Sequence, residues 1–230
     1  MGTLSLPGAD GVKISIQESG GPEAPPVMLL HALGDTANDW GTVAAALAPD
    51  FRVFAVDLRG HGGSGRPGRY SFELMRDDVV AVLEALNLRD VALVGHSMGG
   101  VVAYLIALAQ PGRVSRLVIE DAPPPYPRRR ALPERPQGEL PFDWGVVPAI
   151  AEQVNDPSRR WWPGLTEITV PTLLIGGGAG SHIPQELLAE VAELIPDCAL
   201  VTLDTGHNVH ATAPDQFTTT VIAWLRERVH

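Results

Sequence analysis

Short apolar runs punctuate the chain. Val27-Met28-Leu29-Leu30 follows two prolines, and Val53-Phe54-Ala55-Val56, Val91-Ala92-Leu93-Val94 and Leu117-Val118-Ile119 come after it. Thr172-Leu173-Leu174-Ile175 and Ala199-Leu200-Val201-Thr202-Leu203 complete the series. Apolar on both faces and flanked mostly by Gly, Pro or Asp, they read as strands of a parallel sheet covered on both sides. The spacing between them predicts helices. Residues 73–88 bring Leu74, Val79, Val82, Leu83 and Leu86 near one stripe, and 98–110 is apolar almost throughout, as a central buried helix would be. A helix over 185–195 starts after Pro184, and one over 215–229 closes the chain. Residues 12–17 alternate apolar and polar, which predicts an antiparallel edge strand. Strands alternating with helices predict an α/β fold, a mostly parallel central sheet with helices on both faces.

One stretch breaks the rhythm. Residues 123–163 hold ten of the 21 prolines, the run Arg128-Arg129-Arg130, and the aromatics Tyr126, Phe142, Trp144, Trp161 and Trp162. Proline removes backbone donors and fixes φ, so regular strands are excluded there. The expectation is a single domain over 1–230 with a short cap inserted at 123–164. Trp144, Trp161 and Trp162 are candidates to line a substrate pocket beneath it.

Composition narrows the function classes. With 17 basic and 27 acidic residues the net charge is −10, which leaves no basic face for phosphate backbones, so no nucleic-acid partner is expected. The single cysteine cannot form an intramolecular disulfide or a cysteine-rich zinc site. The first residues show no basic, apolar signal-peptide pattern, and no apolar run approaches a membrane span. A cytoplasmic protein without a membrane partner is the expectation.

The most informative residues are Gly95-His96-Ser97-Met98-Gly99-Gly100. They follow an apolar strand and open an apolar helix, the setting of a nucleophile elbow, in which glycines permit a sharp turn that lifts a serine hydroxyl clear of the sheet. Serine is a weak nucleophile at neutral pH and needs a base. His207, just after the last apolar strand, is the best placed, because catalytic groups of open α/β sheets gather at the strands' C-terminal ends. His210 is the rival base; a metal pair made of His207 and His210 lacks a third ligand. An oxyanion hole needs two backbone N–H groups. Met98 would supply one and Leu33, in the turn after the first central strand, the other, with His31 bracing that turn.

These residues resemble the α/β-hydrolases with a serine nucleophile, of the esterase and lipase type, over nearly the whole chain. His31-Ala32 resembles the family's His-Gly turn, and Asp57-Leu58-Arg59-Gly60-His61-Gly62-Gly63-Ser64 its Asp-x-Arg-Gly-x-Gly-x-Ser loop. Gly206-His207 resembles the catalytic histidine segment. The resemblance implies the order nucleophile, acid, histidine along the chain. Two departures stand out: Ala32 replaces the usual glycine, and the loop where the family usually carries its acid, Gly176-Gly177-Gly178-Ala179-Gly180-Ser181-His182, has no carboxylate.

The acid must therefore come from elsewhere. Glu120-Asp121 ends the preceding strand, where some relatives resemble this chain in carrying theirs. Asp121 is the first choice, Glu120 the alternative, and a dyad without an acid stays open. Asp57 and Asp35 read as structural. The arginine run reads as a solvated surface, with recognition of an anionic substrate group as the sharper option.

The expected function is hydrolysis of a small or medium, partly apolar carboxylic ester or lactone through an acyl-enzyme on Ser97, with His207 and Asp121, and without metal or organic cofactor. Alternatives are carbon–carbon bond hydrolysis or cofactor-free haloperoxidase chemistry on the same residues. A further alternative is an α/β-hydrolase that binds a ligand without turnover.

Overall fold

The computed structural model describes residues 2–129 and 131–227. One sheet carries eight strands: β1 (Gly2–Pro7), β2 (Lys13–Ser19), β3 (Pro26–Leu30), β4 (Arg52–Asp57), β5 (Val91–His96), β6 (Val114–Glu120), β7 (Thr172–Gly176) and β8 (Cys198–Thr202), in the order β1-β2-β4-β3-β5-β6-β7-β8. The six strands from β3 onward run parallel, and β2 is antiparallel to both neighbours. The residue 12–17 segment is thus antiparallel as expected but is not the edge. Gly2–Pro7 pairs outside it, setting Leu4 opposite Ile16, while Ile14 and Ile16 are fully buried.

Among the described residues there are eight α-helices: α1 (Gly41–Leu47), α2 (Phe72–Ala85), α3 (Met98–Ala109), α4 (Val146–Asn155), α5 (Trp161–Gly164), α6 (Gln185–Leu194), α7 (Val209–Thr212) and α8 (Pro214–Glu227). The rest of the predicted last helix, 228–229, lies outside the described residues. Alternate side chains of each parallel strand enter different cores. Met28 and Leu30 pack with Phe54, Val56 and the buried faces of α2 and α3. Val27 and Leu29 pack with Val53, Ala55, Val43 and Leu47 of α1, and Phe217 and Val221 of α8. Each such side chain contributes roughly 1.5–3 kcal/mol, which is why the strand runs lack polar positions. The fully apolar α3 is buried from Met98 to Ala107, between the sheet and its neighbour α2.

The chain passes from β3 outward to β4 and then returns across β3 to β5. The loops after β3 and β5 consequently leave in opposite directions, opening a crevice at their C-terminal ends, the place where open α/β sheets bind ligands. The turn at residues 31–35 and Ser97 both lie there.

After β6, the described residues among 122–145 form no helix or strand beyond one isolated bridge, His61 to Phe142. They are held against the 57–65 loop. Gly62 N–H donates to the Pro141 carbonyl at 2.8 Å, Asp143 N–H donates to that of Gly60 at 2.7 Å, and the Tyr70 hydroxyl donates to Asp143 at 2.6 Å.

The elbow glycines are required by close approach. A Cβ on Gly99 would lie 2.1 Å from the Leu30 carbonyl oxygen, and one on Gly95 would lie 2.4 Å from that of Gly99. Both obstacles are backbone. Gly99→Ala should therefore lower the unfolding free energy by at least about 2 kcal/mol. Gly41→Ala, where a Cβ meets nothing within 4 Å and φ is −52°, should leave it unchanged or raise it by up to about 1 kcal/mol. Urea unfolding of the two variants checks both.

Candidate active site

Ser97 sits between β5 and α3 with φ 50° and ψ −113°. A non-glycine residue rarely adopts this backbone, which costs of order 1–3 kcal/mol and persists only where the surroundings enforce it. Here Ser97 N–H donates to the Glu120 carbonyl at 3.2 Å, while the Ser97 carbonyl accepts from Gly100 and Val101 at 3.0 and 3.2 Å. The serine is thereby clamped between the end of β6 and the first turn of α3.

Asp121, the residue after β6, also has positive φ, 47°. Its carboxylate is buried, and Oδ2 lies 2.7 Å from Nδ1 of His207. The other partners come from the loop after β7. Gly177 N–H donates to Oδ1 at 2.9 Å, the Gln185 amide donates to Oδ1 at 3.0 Å, and the Ser181 hydroxyl donates to Oδ2. Burial by itself would raise the Asp121 carboxyl, but the hydrogen bonds from His207, Ser181, Gln185 and Gly177 outweigh it and hold it below its ordinary value. An anionic Asp121 keeps the proton of His207 on Nδ1 and leaves Nε2 as the basic nitrogen. His96 Nε2–H donates to the His207 carbonyl at 3.0 Å, and the His96 and His182 rings pack against the His207 ring at 4.7 and 4.2 Å. The histidine is fixed through both backbone and ring.

Leu33, Ser97 and Met98 line a single cavity of about 110 Å³ together with Asp121, His182 and Arg128. The remaining wall is apolar, built from residues such as Phe72, Val101, Pro123, Pro124 and Ile150. The expected tryptophan lining is not found there. Trp161 is buried in the core with its ring edge-on to Phe72 at 5.4 Å, because it opens α5 facing inward. Trp162 spends its indole N–H on the Pro125 carbonyl at 3.0 Å and packs behind the cavity wall. Trp144 borders a separate surface groove with Arg66, Arg135 and Phe142.

The turn carrying Leu33 is braced by two neutral histidines. His31 Nδ1–H donates to the Ala32 carbonyl at 2.7 Å while its Nε2 accepts from Leu58 N–H at 3.0 Å. His61 Nε2 accepts from Gly34 N–H at 3.2 Å. Burial, aided by the neighbouring His61, pulls His31 down to about 3, and burial pulls His61 down to about 4. Neither ring competes for a proton near neutral pH, so both keep an acceptor nitrogen for these amides. Asp57 binds Ala37 N–H at 2.7 Å and Gly63 N–H at 2.9 Å, a structural duty in keeping with its expected role. Arg59 forms a fully buried bidentate pair with Asp78 of α2, at 2.5 and 2.7 Å, that anchors the same loop.

A family model described as the alpha/beta hydrolase fold matches residues 25–144, the stretch that runs from β3 through the elbow into the proline-rich segment. The chain belongs to that family. A Haemophilus influenzae protein provisionally named an esterase/lipase is 30% identical over 229 residues, spanning 83% of this chain and 79% of that protein. Mouse sn-1-specific diacylglycerol lipase ABHD11 is 26% identical, spanning 87% of this chain and 81% of its own length. The crystal structure of a hydrolase from Pseudomonas aeruginosa PA01 superposes with a TM-score of 0.85 at 26% identity, covering 97% of this chain and 98% of the other. Among the described residues no helix is long and apolar enough to cross a membrane.

Within this α/β-hydrolase the second carboxylate of the pair does something else. Glu120 is fully buried and points away from Asp121; it accepts from His210 N–H at 2.9 Å and meets His210 Nδ1 at 2.7 Å. His210 Nε2 reaches Asp39 at 2.9 Å, and its ring stacks on Trp40 at 4.2 Å. Sequence reasoning missed this network, along with the contributions of His96 and Gln185. Asp39, His96 and His210 bring ligand-type atoms within 4.8 Å of one another. However, His210 already spends both nitrogens on carboxylates, the arrangement of a protonated imidazolium rather than of a metal ligand. Burial would lower His210, but the hydrogen bonds to Asp39 and Glu120 overcome it and raise it from 6.5 to about 9.

A raised folded-state value means that this stabilisation is complete below about pH 6.5 and is lost as pH rises through about 9. Glu120→Gln should cost about 3 kcal/mol or more at neutral pH and should flatten the decline in stability between pH 6.5 and 9. Urea unfolding of both proteins across that range checks the sign and the size.

Proposed function

We propose that this α/β-hydrolase cleaves carboxylic esters or lactones of small to medium size through an acyl-enzyme on Ser97. The observation that carries the reading is the 2.7 Å contact between His207 Nδ1 and the buried Asp121 carboxylate, beside a cavity that Ser97 lines. His207 Nε2 takes the Ser97 proton as Oγ attacks the carbonyl carbon. Charge develops on the carbonyl oxygen, for which Leu33 and Met98 N–H are the donors. The C–O bond to the alcohol breaks as His207 returns the proton to the leaving oxygen. Water, deprotonated by the same nitrogen, then adds its oxygen to the acyl carbon and frees Ser97, so one water is consumed per ester. Asp121 stays ionised throughout and stabilises the imidazolium. The esterase and lipase names of two relatives, matched over about four fifths of their length, support the reaction class, and the strained backbone of Ser97 supports the nucleophile.

Ser97→Ala should abolish labelling by a fluorophosphonate and nearly all hydrolysis of p-nitrophenyl esters, with the far-ultraviolet spectrum unchanged. Labelling that survives would put the nucleophile elsewhere. Asp121→Asn should preserve the packing but favour the wrong tautomer, lowering kcat by up to ~10⁴. Glu120→Gln, which touches His210 and not His207, should act chiefly on stability. kcat/KM for the two variants on one activated ester separates a Ser97-His207-Asp121 unit from a dyad. If both fall by only a few-fold, the unit is a dyad.

A further inference from the structure

The cavity beside Ser97 contains a cation. Arg128 lines it, and the guanidinium lies over the Tyr126 ring at 4.8 Å with Nη1 donating to the Tyr126 hydroxyl at 3.2 Å. That stacking fixes the plane of the side chain. Its Nε is buried with no hydrogen-bond partner, and among the described residues Arg128 makes no ion pair. Asp121, the carboxylate that also lines the cavity, already has four partners: His207, Ser181, Gln185 and Gly177. In a chain with 27 acidic and 17 basic residues, an oriented arginine left unneutralised in a cavity is not explained by the fold. Arg129 is exposed and Arg130 lies outside the described residues; of the two described arginines in the run, Arg128 is the one that lines the cavity.

Building on the esterase reading, we propose that Arg128 selects substrates bearing a second, ionised carboxylate a few carbons from the scissile carbonyl: half-esters of short dicarboxylic acids, or the corresponding lactone acids. The fork of guanidinium N–H groups matches a carboxylate. The apolar wall formed by Val101, Pro123, Pro124 and Ile150 suits a run of methylenes, and about 110 Å³ is small against the roughly 300–1,000 Å³ of drug-sized pockets, so the run is short. Binding the remote carboxylate holds the ester carbonyl at Ser97. The reaction remains addition of one water across the acyl–oxygen bond, giving the free dicarboxylic acid and the alcohol.

The test compares monoethyl glutarate with ethyl pentanoate, which share a five-carbon acyl chain and differ by a terminal carboxylate in place of a methyl. Hydrolysis is followed by pH-stat for wild type, Arg128→Met and Arg128→Lys. The wild type should favour the half-ester by about tenfold or more in kcat/KM. The ratio should collapse towards one in Arg128→Met, mainly through KM for the half-ester, with Arg128→Lys between. A ratio unmoved by Arg128→Met, or a wild-type preference for ethyl pentanoate, overturns the proposal while leaving the esterase reading intact. If neither ester is turned over, the esterase reading fails, and calorimetric titration with glutarate decides the site separately. Binding by wild type that Arg128→Met loses supports it, and no binding by wild type overturns it. Far-ultraviolet spectra and the Lys variant guard against a folding defect.

Discussion

Two adjacent carboxylates at the end of one strand organise the functional end of this molecule. Glu120 closes β6 and Asp121 follows it at positive φ, so their side chains diverge. One receives His207 and the other His210, two imidazoles three residues apart on the same short segment. Each carboxylate is removed from water, and each is compensated by a charge-assisted hydrogen bond roughly twice as strong as a neutral one. The result is a clamp. The segment that carries the candidate base is held on both sides by β6, while β6 holds Ser97 through the Glu120 carbonyl. Ser97, His207 and Asp121 thus share one reference strand, and errors in the rest of the sheet do not accumulate between them.

The opposite wall of the crevice is held by neutral groups. His31, His61 and Asp57 tie the turn after β3 to the loop after β4 through backbone amides. With both rings held neutral by burial, the direction of these amides does not change with pH near neutrality. The division is physically sensible: buried, hydrogen-bonded carboxylates beneath His207 and His210, and uncharged imidazoles under the turn that carries Leu33.

What the sequence made legible follows from how local each feature is. The turn around Ser97 is written in five consecutive residues, and its glycines are demanded by backbone atoms nearby. The contact of Asp121 with His207 was anticipated through the family resemblance, since the loop at residues 176–182 holds no carboxylate and some relatives carry theirs after the preceding strand. The network through Glu120, His210 and Asp39 was not, since its members lie 90 and 171 residues apart and only the folded sheet brings them together. The three tryptophans misled for a different reason. Aromatic density marks burial, but burial against α2 and burial against a ligand look alike until the inward face of α5 is known. The short β1 and α1 left weak signals of six and seven residues, and β1 displaced the antiparallel strand from the edge.

The loop between β7 and α6 supplies hydrogen-bond donors rather than a carboxylate. It bears no acid of its own, yet its Gly177 amide and Ser181 hydroxyl, with Gln185 at the start of α6, serve as donors to an acid carried by the neighbouring strand. Donors of this kind are interchangeable in a way that a carboxylate is not, since an amide, a hydroxyl or a water molecule can replace any one of them. Substitutions in this loop can therefore reshape the His182 side of the cavity in small steps while the Asp121 carboxylate keeps the rest of its partners.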